Sequence, residues 1–121
     1  MRHKNKKQKL GSSFHQRKAI LRSLASALIL RGRIFTTEGR AKKVKPFIEK
    51  VISKAKKDTL ANKRLLLKDF NLKIVNKLIK DIAPKYINRS GGYTRIIKTA
   101  NRKADSAKMV FIELVDSVKQ N

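Results

Sequence analysis

The chain has 121 residues, in which 32 lysines and arginines outnumber 8 aspartates and glutamates, for a formal net charge of +24. This length suits one domain with a modest core, and a charge this dense predicts a polyanionic partner, most often nucleic acid. The sequence contains no cysteine, which excludes structural disulfides, thiolate zinc sites and a cysteine nucleophile.

Residues 1–11 are basic, contain no acid and include one large aliphatic residue, Leu10. They cannot bury enough apolar area to fold alone, so we predict an extended basic N-terminal arm. The globular domain is expected over residues 12–116, followed by a short tail over 117–121. The apolar run 24–30 is too short to span a bilayer, and its small residues lie inside the run. Neither membrane insertion nor secretion is therefore expected.

The first helix is predicted to begin after Ser13, a capping residue with Gln16 three positions later. Apolar residues then recur at three- and four-residue spacing, which predicts one buried stripe. Gly32 suits the left-handed end of this helix. The β-branched and aromatic stretch 33–37 follows and predicts a short strand.

A second helix is expected to begin at Thr36 or Thr37 and to continue through Pro46 as one kinked helix, because its apolar spacing runs through the proline. Asp58 or Thr59 is expected to cap a short third helix that buries some of its leucines. The clearest helical period of the chain starts after Asn71 and is expected to close at Pro84.

Two strands are predicted near the end of the chain, over residues 94–99 and 109–115, with a polar basic loop at 100–108 between them. Two strands alone are marginal, so residues 33–37 are expected to supply the third. The predicted fold is α+β: a single small domain of about four helices packed on a short three-stranded mixed sheet, with the basic arm extended from it.

The stretch NRSGGYTRIIKT, residues 88–99, contains adjacent glycines and no acid. A nucleotide-binding loop is not expected, because a helix precedes these glycines and a strand follows them. Gly91 and Gly92 are expected to supply positive φ angles for the turn, and they would also let a phosphodiester approach the backbone. Tyr93 either contacts RNA, by stacking on a base or bonding a phosphate, or lies in the core with its hydroxyl at the edge.

Catalytic and metal sites are not expected. His3 and His15 are far from any acid, and no His/Asp/Glu cluster has metal-ligand spacing. We therefore predict no enzyme activity, no cofactor, no metal and no small-molecule substrate. Four acids are expected on solvated helix faces rich in lysine: Glu49, Asp58, Asp69 and Asp81.

Residues 83–96, APKYINRSGGYTRI, closely resemble the signature of the L-seventeen family of bacterial large-subunit ribosomal proteins. Shorter matches to that family occur in the same order along essentially the whole chain, from the Met-Arg-His lead to residues 112–115. One departure lies in the loop 100–108, which lacks the glycines and proline usual in the family.

The resemblance implies a cytoplasmic, structural constituent of the large ribosomal subunit that binds 23S-type rRNA. It also implies a place on the solvent side near the peptide exit tunnel, contact with neighbouring ribosomal proteins, and a small α+β domain with a basic extension.

The predicted mechanism is neutralisation of phosphates by lysine and arginine, with the arm ordering between RNA helices. The residues expected to bind RNA belong to the arm, the first helix and the glycine turn: Arg2, His3, Lys4, Lys6, Lys7, Lys9, Arg17, Lys18, Arg22, Arg89, Gly92, Tyr93 and Arg95. The main alternative is a free-standing nucleic-acid chaperone or compaction protein. An acid-cluster nuclease and a membrane-surface protein are weaker alternatives, because neither an acid cluster nor a lipid-facing aromatic edge is visible.

Overall fold

The computed structural model describes residues 13–115. In chain order its elements are α1 (Phe14–Arg31), β1 (Arg33–Thr37), α2 (Glu38–Lys56), α3 (Leu60–Leu67), α4 (Leu72–Lys77), β2 (Thr94–Lys98) and β3 (Met109–Leu114). A π-helical turn, Leu78–Ile82, and a 3₁₀ turn, Ala83–Tyr86, continue α4. The predicted arm and tail lie outside the described residues.

All four α-helices begin at side-chain caps. In each case a side-chain oxygen accepts the backbone N–H three residues later, at 3.0 to 3.4 Å. These bonds satisfy N–H groups that have no partner within the helix. The predicted helix starts are therefore confirmed, with the caps supplied by Ser13, Thr37, Thr59 and Asn71.

The sheet has the order β1-β3-β2, and both of its pairings are antiparallel. The prediction of three strands is confirmed, but that of a mixed sheet is wrong. The reason is the position of β3: it lies between β1 and β2, which run in the same direction but never pair with each other. The register aligns Ile34 of β1 and Ile96 of β2 with Ile112 of β3.

α2 lies at the centre of the domain and contacts α1, α3 and all three strands. Its residues Val44, Ile48 and Ile52 have no exposed surface. Each such side chain contributes roughly 1.5–3 kcal/mol by leaving water. Pro46 lies inside this helix, as predicted, and is exposed. α2 is therefore the rigid element from which side chains reach the rest of the fold.

The expectation that α3 buries some of its leucines is confirmed at Leu66, because a helix of 8 residues presents one narrow side to the core. One other detail of the helices differs from the expectations. After α4 the helical path does not close at Pro84. It loosens into the π turn, and Pro84 then lies in the 3₁₀ turn, where its missing N–H is tolerated near the start.

Candidate nucleic-acid interface

The turn that joins the 3₁₀ segment to β2, residues 87–93, is called the signature turn below. Its last residue, Tyr93, is 1% exposed, and its ring centroid lies 5.2 Å from that of Tyr86. Of the two alternatives for Tyr93, the structure shows the one in the core. The ring thus anchors the turn and presents no open face to a base.

The hydroxyl of Tyr93 is the centre of a small hydrogen-bond network. It accepts from Lys56 Nζ at 2.8 Å and from Ser53 Oγ at 3.4 Å, both on α2, and donates to the carbonyl oxygen of Arg89 at 3.2 Å. Lys56 also donates to that same carbonyl. One lysine of α2 therefore ties together the two ends of the turn.

This network changes the acidity of the phenol. Burial opposes ionisation of Tyr93, but the hydrogen bonds from Lys56 and Ser53 and the charge of Lys56 outweigh it. The pKa of Tyr93 is therefore lowered from its ordinary value. The phenolate form is favoured because a cation lies against it.

A second side chain of α2, Glu49, holds the other side of the turn. Its carboxylate accepts the N–H of Gly92 at 3.1 Å, the N–H of Thr94 at 3.2 Å and the hydroxyl of Thr94 at 2.9 Å. Lys45 lies 3.8 Å from this carboxylate and donates to the Thr94 carbonyl at 2.8 Å. The expectation that Glu49 lies on a solvated helix face is wrong, because these contacts make it half-buried.

The two glycines of the turn have different roles. Gly92 has φ +65°, whereas Gly91 does not have a positive φ. The expectation of a left-handed conformation is therefore confirmed at Gly92 and wrong at Gly91. The N–H of Gly92 already has the Glu49 carboxylate as acceptor, so it is satisfied within the protein.

The model of the family "Ribosomal protein L17" matches residues 20–115 of this chain. The protein named "Large ribosomal subunit protein bL17" from Gemmatimonas aurantiaca is 45% identical over 116 residues, which cover 95% of this chain and 98% of that protein. The protein of the same name from Bacteroides thetaiotaomicron is 47% identical over 117 residues, covering 96% of this chain and 72% of that protein.

The chain belongs to the ribosomal protein L17 family. This is the L-seventeen family that residues 83–96 resemble, so the resemblance is confirmed. The family is a structural, non-enzymatic component of the ribosome. Its members belong to the large subunit, which is cytoplasmic in bacteria. The expectations of a ribosomal, non-catalytic protein in translation are confirmed at the level of the family.

In this L17-family chain the described site residues form two groups. Arg17, Lys18 and Arg22 lie in the first half of α1, whereas Arg89 lies in the signature turn and Arg95 in β2, two residues after the turn. Arg95 pairs in the sheet with Glu113, directly across from Arg33, which follows the end of α1. Arg17 and Arg95 therefore lie towards opposite ends of α1, a helix that rises about 20 Å from Arg17 to Arg31 at about 1.5 Å per residue.

The α1 group is held by an acid that the sequence analysis expected on a solvated face. Asp69, in the turn after α3, lies 3.6 Å from the Arg22 guanidinium and 4.0 Å from Lys18 Nζ. Both cations remain exposed to solvent by a third or more of their side chains. Such a pair stabilises little, but it directs the two side chains to one side of α1.

Arg33 is a cation that the sequence analysis did not include among the site residues. Its Nε lies 3.0 Å from Glu113 Oε1, and Nε of Arg95 lies 2.5 Å from Glu113 Oε2. The alternation of β1 carried a signal, since Arg33 lies on the opposite face from the buried Ile34. Its neighbours could not be read from the sequence, because they depend on which strand is central.

Within residues 13–115 no group of three or more His, Cys, Asp or Glu side chains is placed to hold a metal ion. In the same range, no helix combines the length and the hydropathy needed to cross a membrane.

Proposed function

We propose that this L17-family chain binds 23S-type rRNA in the large ribosomal subunit through its basic arm and its basic surface. The observation that carries the proposal is a net charge of +24 in a member of a ribosomal family. Lysine and arginine neutralise phosphates and release counterions, and this release supplies much of the affinity for nucleic acid.

The proposed interface has three parts. The arm supplies Arg2, His3, Lys4, Lys6, Lys7 and Lys9, which lie outside the described residues. The start of α1 supplies Arg17, Lys18 and Arg22. The signature turn supplies Arg89, Gly92 and Tyr93, and Arg95 follows the turn in β2.

Within the third part, Arg89 and Arg95 carry the charge, whereas Gly92 and Tyr93 set the path of the backbone between them. Gly92 does so by its left-handed φ, and Tyr93 by its contacts with Lys56 and Ser53. Close approach of a phosphodiester to Gly92 remains part of the proposal, because a Cβ placed there would meet no heavy atom of the described residues within 4 Å apart from Gly92 and its two chain neighbours.

α1 acts in this proposal as a spacer between two contact points. A helix is stiff, so its rise of about 20 Å from Arg17 to Arg31 keeps Arg17 apart from Arg95, which shares Glu113 with Arg33 beyond the other end of the helix. One RNA segment that touched both would have to run along the helix. Two segments that touched one end each would be held at a set distance.

The proposal includes the position near the peptide exit tunnel and the contacts with neighbouring large-subunit proteins that the family resemblance implies. A structural protein at such a place fixes RNA segments and neighbouring proteins relative to each other, and it needs no reaction chemistry.

Filter binding of the full chain to a 23S-type rRNA fragment over a range of KCl tests the proposal. If about eight phosphates are neutralised, log affinity should fall with log salt at a slope of about −6 to −7. Deletion of residues 1–11 should weaken binding severely and leave the thermal transition of the domain nearly unchanged. A flat salt dependence of the full chain would contradict the proposal.

A matched pair of variants locates the contacts. The double variant Arg17→Gln with Lys18→Gln removes two charges from the start of α1, and we expect the salt slope to become shallower by about 2. Lys50→Gln with Lys54→Gln removes two exposed charges from α2 and should leave the slope unchanged. Equal effects of the two would mean that only total charge matters.

The alternative, a free-standing chaperone or compaction protein, makes a different prediction in cells. A large-subunit constituent should sediment with that subunit on a sucrose gradient, even after a moderate-salt wash. A free-standing protein would remain in the light fractions and would bind unrelated RNA with the same salt slope.

A further inference from the structure

The sheet has a second face that the proposed interface leaves unused. One face packs against the helices through Ile34, Ile96 and Ile112. The opposite face carries two rows of side chains in register across all three strands. The rows, called the outer-face platform below, are Arg33, Glu113 and Arg95 in the first and Phe35, Phe111 and Ile97 in the second.

The aromatic row of the platform is open on one side. Phe35 is 55% exposed, which is unusual for a phenylalanine in the strand of a small sheet. Its ring centroid lies 5.0 Å from that of Phe111, with the planes tilted by 51°. The guanidinium carbon of Arg33 lies 4.1 Å from the centroid of Phe111. Phe111 is thus already covered by Arg33, while Phe35 keeps a free ring face.

The charged row holds two arginines in a fixed arrangement. Glu113 is 14% exposed and receives one arginine on each oxygen, and each arginine uses its Nε. Within residues 13–115 neither Arg33 nor Arg95 pairs with an acid other than Glu113, and their side chains are 51% and 60% exposed. The carboxylate therefore orients two guanidinium groups that remain more than half exposed to solvent.

We propose that the outer-face platform binds unpaired RNA, with one base stacked on Phe35. The guanidinium groups of Arg33 and Arg95 contact the adjacent phosphate or base edges. This inference rests on the proposed function, since it assigns a second contact surface to an RNA-binding protein. Aromatic rings and guanidinium planes on an open sheet are suited to single-stranded bases, because every base has a flat face to stack.

Charge favours RNA over a protein as the occupant of the platform. The chain carries +24 overall, and the two arginines exceed the single Glu113 on this face. The exposed donors at the rim match phosphate oxygens, which accept two parallel N–H bonds from one guanidinium group. Duplex RNA does not fit, since its bases are stacked within the helix and offer no free face to Phe35.

A tryptophan reporter tests the proposal in the full chain, which contains no natural tryptophan. Phe35→Trp places the reporter on the platform, and Leu60→Trp places a control on α3, where Leu60 is 64% exposed. The probe is a single-stranded oligoadenylate of about eight nucleotides, with its duplex form for comparison. We expect the single strand to quench the fluorescence at position 35 and not at position 60, and the duplex to quench neither.

A second variant tests the energy of the contact. Phe35→Leu keeps an apolar side chain but removes the aromatic ring, and it should weaken binding of the oligoadenylate about fivefold or more. The slope of log affinity against log salt should not change, because no charge is removed. If this variant does not fold by circular dichroism, the fluorescence experiment decides alone.

Three outcomes would overturn the inference. The first is equal quenching at positions 35 and 60. The second is a folded Phe35→Leu chain that binds the oligoadenylate as tightly as the parent. The third is a Phe35→Leu chain that keeps RNA affinity but no longer associates with a neighbouring large-subunit protein, which would assign the face to protein. In each case the parent chain would still bind the rRNA fragment with its steep salt slope, so the proposed function would stand.

Discussion

The signature turn, residues 87–93, and the loop between β2 and β3, residues 99–108, are held in opposite ways. The turn is held by side chains of α2 that lie about forty positions earlier in the chain: Lys56 against Tyr93, and Glu49 against Gly92. The loop is held mostly by its own residues, although the carbonyl of Lys108 also accepts the N–H of Glu38 at 2.9 Å. Both guanidinium contacts of Arg102 with Asp105 are 3.0 Å long, and the carboxylate also accepts the N–H of Ala107 at 3.2 Å.

The difference predicts that the turn tolerates substitution less well than the loop does. A turn that depends on distant partners needs particular residues at particular places. In a loop that depends on local contacts, several residues can be substituted together, provided that the new residues form contacts that hold the loop closed. Here Ser106 adopts φ 59°, a conformation that glycine would adopt more easily, and the Arg102–Asp105 pair closes the loop around it.

The largest expected effect comes from removing the Glu49 carboxylate, which accepts hydrogen bonds from the distant signature turn and from Thr94. Glu49→Ala leaves the N–H of Gly92 and the N–H of Thr94 without their partner, so we expect a loss of about 2–3 kcal/mol in the free energy of unfolding. Denaturant unfolding at neutral pH measures it. Asp81→Ala, which removes an exposed acid from a helical segment, is the control and should change little. Equal losses would show that Glu49 acts only through net charge.

A smaller effect separates the two glycines. Gly92→Ala forces an alanine into a left-handed conformation, which costs about 1–2 kcal/mol, although the added Cβ meets open space. Gly91→Ala meets open space without positive φ and should be neutral or slightly stabilising. Thermal melts of both variants measure this difference. If Gly92→Ala also loses RNA affinity while fully folded, the backbone itself contacts RNA.

The next test measures the pKa of Tyr93 and does not measure stability at neutral pH. In a Tyr86→Phe background, ultraviolet titration reports Tyr93 alone, and its pKa should lie below the ordinary value. Lys56→Met should raise the pKa of Tyr93, because burial then acts against a weaker stabilisation of the phenolate. Lys50→Met, on the same helix but exposed, should leave it unchanged. No shift with Lys56→Met would contradict the network.

The sign of the linked stability follows from the direction of that shift. An acid whose pKa is lower in the folded state contributes stability above its unfolded pKa. The contribution of Tyr93 is therefore absent at neutral pH and present in strong alkali. In alkali we expect the parent to unfold at a higher pH than Lys56→Met. Lys50→Met removes one lysine charge without touching Tyr93, so it serves as the control for the change in net charge.

The smallest expected effect lies in the self-contained loop. Arg102 and the Ala107 N–H lower the pKa of Asp105, so the contribution of this carboxylate is present at neutral pH and is lost as the solution is acidified through its folded pKa. Asp105→Asn should flatten the acid limb of the stability profile slightly, because about half of each side chain of the pair is exposed to solvent. A change as large as that of Glu49→Ala would mean that the loop also supports the core.

Features that depend on neighbours in the chain could be predicted from the sequence. The cap at Ser13 and the left-handed Gly32, with φ +80°, are examples. A hydroxyl that caps an N–H three residues later depends only on residues within one helical turn. The same is true of a glycine that ends a helix. The same holds for β1, the short strand that the β-branched and aromatic stretch 33–37 predicts.

Features that depend on distant partners could not be predicted. The role of Glu49 rests on a turn 43 residues later, and the pairing of Arg33 with Arg95 through Glu113 rests on the strand order. Glu49 is one of several acids among lysines on an amphipathic helix, and nothing in its local sequence separates it from Asp81. Hence the positive charge of the site and the family of the chain could be predicted, but not the acids that position the site residues.

The strand order has a consequence for how the chain is made. β1 and β2 are both synthesised before β3, the strand that lies between them. Until Met109–Leu114 has emerged, Ile34 and Ile96 have no common partner in Ile112, and both strands carry unpaired N–H and C=O groups. A partly made chain therefore exposes two open strand edges, the surface through which chains aggregate. When the six residues of β3 enter between them, one edge of β1 and one edge of β2 become paired and the sheet is complete.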